Sequence, residues 1–124
     1  RPVDQSPARH PIDLVFNLHN DEGNEYMETM VDAAPQVAML DRLYAALGEK
    51  TRFDPSRPKL SHVTTGPANT TLSLWTEARV PTVMMERRIV TDRKAGRLYT
   101  PEDNLQFGRE LVTQLSEAVV SGIP

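Results

Sequence analysis

The sequence predicts an α/β domain: a mixed, mostly parallel sheet flanked by helices. Three observations carry that expectation. Residues 12–19 alternate apolar and polar, and residues 80–86 run almost continuously apolar, as strands do. Helical patterns occupy 35–48, 69–78 and 100–122. Strands separated by helices need crossovers, and crossovers favour parallel neighbours.

Residues 1–11 read as an extended lead-in, because Pro2, Pro7 and Pro11 interrupt regular structure. In 12–19, Ile12, Leu14, Phe16 and Leu18 fall on one side, and Asp13, Val15, Asn17 and His19 on the other. That is a period of two. Asn20 to Asn24 is a polar turn. Pro35 opens a helix in which Val37, Leu40, Leu43, Tyr44 and Leu47 make the apolar stripe, and Gly48 ends it.

Residues 51–58 form a loop marked by Pro55 and Pro58, and Leu60 to Thr65 is a short strand ended by Gly66-Pro67. Asn69 caps the next helix, which places Trp75 in the core. The run from Val80 to Glu86 suits a strand buried on both faces, with Pro81 at its start. Residues 87–99 read as a charged loop containing Gly96. Thr100 caps the last helix, with Pro101 at its first position and Glu102 and Asp103 in its first turn. Its expected buried stripe is Leu105, Gly108, Leu111, Leu115 and Val119, closed by Gly122.

With 124 residues the chain is one domain or part of one. Hydrophobic residues make up 39% and charged residues 25%, which is ordinary globular usage. The net charge of -3 and the absence of a Lys/Arg run argue against nucleic acid as a partner. No apolar run approaches the roughly 20 residues of a membrane span. The chain has no cysteine, which removes disulfides, thiolate metal sites and cysteine nucleophiles. It begins at Arg1 rather than Met, as a processed chain or an excerpt of a longer one would.

Ligands of open α/β sheets bind beyond the carboxyl ends of the strands. His19 ends the first strand and Glu86 the later one. In parallel strands both reach the same crevice. Against that stands the plainer expectation that His19 starts a polar turn and Glu86 pairs with Arg87 or Arg88 at the surface.

The segments Asp13-Leu14-Val15-Phe16-Asn17-Leu18-His19-Asn20 and Val80-Pro81-Thr82-Val83-Met84-Met85-Glu86 resemble the second half of a zinc carboxypeptidase of the carboxypeptidase A-like family. Their order suits that family, and so does the long helix that follows. The resemblance implies that His19 is the third zinc ligand and that Glu86 is the general base. It implies substrate contacts from Asn20 and Asp21, and from the segment around His62 and Thr65. The cofactor would be Zn2+, and the substrate a peptide or an amino-acid derivative.

The family's upstream His-x-x-Glu motif and its substrate-binding arginines have no counterpart before His19. The chain therefore reads as the C-terminal part of a catalytic domain, expected to show little activity alone. Its partner would be the missing N-terminal half, or a second copy joined through exposed sheet edges. The family's substrate-facing tyrosine also has no match, with His62 at best a substitute.

Three alternatives stay open. His19-Asn20-Asp21-Glu22 is itself a His-x-x-Glu and would complete a metal site with His62. The chain is otherwise a non-catalytic binding or scaffold module, or a related zinc amidohydrolase (deacylase) acting on N-acyl amino acids. Asn69-Thr70-Thr71 also fits a glycosylation sequon.

Overall fold

Six strands and three helices follow one another in a computed structural model that describes residues 12–64 and 70–122. The strands are β1 (Val15–Asp21), β2 (Tyr26–Thr29), β3 (Ser61–His62), β4 (Thr82–Arg88), β5 (Thr91–Asp92) and β6 (Arg97–Leu98). The helices are α1 (Ala34–Lys50), α2 (Thr70–Ala78) and α3 (Pro101–Gly122). The main sheet has the order β1-β4-β2-β3. β1 pairs parallel with β4, and β2 pairs parallel with β3, while β4 and β2 are antiparallel. The coarse α/β class and the mixed sheet are thus as expected.

β4 is the centre of the sheet, and its composition fits that place. Thr82, Val83, Met84 and Met85 are all buried. A strand hydrogen-bonded on both edges and packed on its faces selects apolar and β-branched side chains. Pro81, which has no N–H, lies just before it, and its carbonyl accepts from Val15 N at 2.8 Å.

Alternation assigns the two faces of the sheet. Met27, Thr29, Val83 and Met85 share one face, where Met27, Val83 and Met85 join Leu40, Leu43, Leu47, Phe107 and Leu111 in one core. Asn17, His19, Tyr26, Glu28, Met84 and Glu86 belong to the other face. α1 buries Met39, Leu40, Leu43, Tyr44 and Leu47, a stripe at helical spacing. Trp75 of α2 is buried and donates from Nε1 to Asp32 Oδ1 at 2.9 Å. No helix among the described residues is long and apolar enough to cross a membrane.

Several expectations are corrected. β2 had no predicted counterpart. The strand expected at 12–19 runs instead over Val15–Asp21, and the one ending at Glu86 continues to Arg88. The short strand at 60–65 contracts to Ser61–His62. Residues 87–99 are not one loop, for they hold the β5/β6 hairpin, whose turn uses Gly96 at a φ of 70°. Arg87 and Arg88 are not surface pairs, since both are only 5% exposed. The Arg87 guanidinium stacks over Phe107 and Tyr99, 3.7 and 4.8 Å from the ring centroids.

The stripe of α3 is rotated from the expected one. Leu105 is exposed, whereas Phe107 and Ala118 are buried beside Leu111. Its start is as read: Asp103 N donates to Thr100 Oγ1, and Thr100 N donates to Asp103 Oδ2. The Asn69 cap lies outside the described residues.

Candidate active site

β1 and β4 are in parallel register with His19 opposite Glu86. Register partners share a face, so the two side chains emerge on the same side, next to each other. On the far side of β4, Tyr26 of β2 is the register partner of Glu86. His19, Glu86 and Tyr26 therefore form one row across three strands. The next row is Asn17, Met84, Glu28 and Ser61.

Burial divides this row. His19 at the sheet edge is exposed, while Glu86 in the central strand is partly buried. Glu86 Oε2 is sealed from solvent and has no hydrogen-bond partner among the described residues. Burial pushes its carboxyl above the usual range; His19 opposes this, and the Asp21 and Glu28 carboxylates add to it. A carboxylate held this way has an oxygen free to take a proton and a raised affinity for one.

Tyr26 is likewise pushed up by burial, with Glu28 and Glu86 adding to the shift. The Arg57 guanidinium stacks on its ring at 4.8 Å. Arg57 Nη1 donates to Ser61 Oγ at 2.6 Å and lies 3.6 Å from Glu28 Oε1. This face thus carries the His19 imidazole, the Tyr26 phenol, the Arg57 guanidinium and the carboxylates of Asp21, Glu28 and Glu86.

No family model matches the chain, and no curated protein or solved structure matches it.

The expected substrate contacts are only partly brought together. Asp21 shares the face of His19 and Glu86, but its Oδ1 accepts from Gly23 N and Asn24 N, both at 2.7 Å, closing the turn. Those two amides hold its carboxyl below the usual range. Asn20 is the register partner of Arg87 and belongs to the opposite face. His62 pairs in register with Thr29, also on that opposite face, and its Nε2 is 3.3 Å from Asp41 Oδ1 on α1. The arrangement His19, Glu22 and His62 is thus split across the sheet. Among the described residues no three His, Asp or Glu side chains form a group able to hold a metal. Thr65 lies outside the described residues.

Tyr26, Glu28, Arg57 and Ser61 were not foreseen. Alternation of Tyr26 and Glu28 against the apolar Met27 is a legible strand signal. Arg57 carried no signal, because it sits between two prolines and reaches the site only through the fold.

Proposed function

We propose that this chain contributes a metal-binding imidazole, His19, and a general base, Glu86, to a zinc-dependent carboxypeptidase-type site. The reaction is hydrolysis of a C-terminal peptide bond. The observation that carries this reading is the placement of His19 and Glu86 as same-face register partners, with Glu86 Oε2 buried and unpartnered.

The donor types fit such a metal. Zinc takes imidazole nitrogen and carboxylate oxygen, and an exposed histidine at a sheet edge leaves room for further ligands. Those ligands come from outside the described residues. When bound, zinc supplies Lewis acidity and a water of lowered pKa.

The chain's own residues do the rest. Glu86 accepts a proton from the attacking water and returns it to the departing amine. Its raised affinity for protons keeps it closer to the working pH than an ordinary carboxylate. Burial within the central strand limits its rotamers and so holds the carboxylate in place. Tyr26 stands on the other side of Glu86 as a hydrogen-bond donor to substrate, oriented by the stacked Arg57.

The test is release of the terminal residue from a free peptide, compared with its C-terminally amidated form and with N-acyl amino acids. It is run with zinc on the longest natural form of the protein. The proposal expects cleavage of the free peptide, with turnover lost in Glu86→Gln at unchanged zinc content. Preference for N-acyl amino acids would indicate the deacylase chemistry instead. No hydrolysis, with zinc bound and the fold intact, would sink the enzyme reading.

A further inference from the structure

Glu25 is fully buried, and the proposed chemistry gives it no part. A carboxylate taken out of water is costly, and an apolar side chain of similar size often serves a fold as well. The value of this one lies in what its two oxygens hold.

Oε1 accepts from Asp54 N at 2.8 Å, and Oε2 accepts from Arg88 N at 3.2 Å. The Arg88 guanidinium lies 3.7 Å from the same Oε2. The backbone carbonyl of Glu25 accepts from Ser56 N at 3.2 Å. One residue thus joins two pieces of chain that are distant in sequence. Asp54 and Ser56 belong to the loop that carries Arg57. Arg88 ends β4, just beyond Glu86. Glu25 itself immediately precedes Tyr26, the register partner of Glu86.

These ties converge on one contact, the Arg57 guanidinium over the Tyr26 ring at 4.8 Å. Tyr44 fixes the loop to α1, donating its hydroxyl to Arg57 O at 2.6 Å. Glu25 fixes the loop to the strand that bears Glu86.

Only a carboxylate meets the demand. The groups that meet its two oxygens are all N–H donors. A glutamine amide has one oxygen and one nitrogen, so in either orientation its nitrogen opposes an N–H. Turned towards Arg88, the nitrogen opposes an amide and a guanidinium. Turned towards Asp54, it opposes one amide. The second costs less, so glutamine keeps the tie to the strand and releases the loop.

We propose that Glu25 is a positioning residue of this site: by clamping the 51–58 loop to the carboxyl end of β4, it sets where Arg57, and with it Tyr26, stands relative to Glu86. The inference rests on the reading of the His19–Glu86–Tyr26 row as the active site.

Glu25→Gln and Glu25→Asp test it, the second keeping the charge but shortening the reach. Nuclear magnetic resonance of the longest natural form reads the contact without any turnover. Both variants should lose the nuclear Overhauser contacts between the Arg57 side chain and the Tyr26 ring. Both should keep those between the register partners Met27 and Met85. In the peptide assay with zinc, Glu25→Gln should lower kcat/KM at least about tenfold, as small misplacements do. Added to Arg57→Gln it should lower it little further, because both changes remove the same contact. A residue that only staples the fold would instead give effects that multiply. Intact Arg57–Tyr26 contacts in both variants, multiplying effects, or loss of the fold in both would each overturn the proposal. Lost contacts in a protein whose unaltered form hydrolyses nothing would uphold the placement of Arg57 by Glu25 and sink the enzyme reading alone.

Discussion

His19 and Glu86 are neighbours on one rung of the parallel β1/β4 pair, the first at the sheet edge and the second in its most buried strand. The same placement that frees Glu86 Oε2 for chemistry makes the residue a liability to the fold. Its carboxyl is held above 4.5 chiefly by burial. A carboxyl raised on folding binds protons more tightly in the native state, so its ionisation opposes folding as pH rises through the folded value. Glu86→Gln should therefore raise the unfolding midpoint at pH 7 to 8. The gain should vanish below pH 4.5, where both states are protonated. Paired with loss of turnover, this would mark Glu86 as kept for function at the expense of stability. Differential scanning calorimetry across pH checks it.

Asp103 is the opposite case. Arg97 hydrogen-bonds its carboxylate, the Thr100 amide donates to it, and Arg52 lies 3.2 Å away. Together these hold its carboxyl well below 3.8. A carboxyl lowered on folding contributes stability above its unfolded value and loses it as pH falls through the folded one. Asp103→Asn should lower the urea midpoint at pH 7, and the difference should shrink as the pH drops below 3.8. Equal effects at pH 7 and pH 2 would contradict the ion-pair account.

Phe53 ties the loop after α1 to the core. It is fully buried and meets Tyr44 edge-on at a centroid distance of 5.7 Å. Tyr44 in turn donates its hydroxyl to Arg57 O at 2.6 Å, so the same contact braces the loop that carries Arg57. Phe53→Ala should cost about 3–5 kcal/mol of stability. Hydrogen exchange at 51–58 should accelerate more than exchange in β1.

Much of the fold was legible because local physics agreed with it. The Thr100–Asp103 cap, Pro101 behind it and the helical stripe of α1 are read directly from residue type and spacing. β4 announced itself by the nearly continuous apolar run from Val80 to Met85, and the His19–Glu86 pairing followed once β1 and β4 were taken as parallel. Other features were not local. Arg87 and Arg88 look like surface charges, yet Arg87 is buried by rings from α3 and its preceding loop, and Arg88 by Glu25 and Gly23. The exposure of Leu105 depends on how α3 is rotated against the core, which spacing alone does not decide. The opposite facing of Asn20 and His62 depends on sheet register, where a single residue inverts the face.

The account rests on metal binding at the His19–Glu86 row. The most direct test is a titration of this chain with Co2+, a paramagnetic stand-in for zinc, followed by nuclear magnetic resonance of ring and carboxyl signals. The account predicts that the His19 imidazole broadens first, and the Glu86 and Tyr26 side chains with it, while His62 on the opposite face is spared. His19→Ala should abolish that pattern. Broadening centred on His62, with His19 and Glu86 untouched, would contradict the proposal.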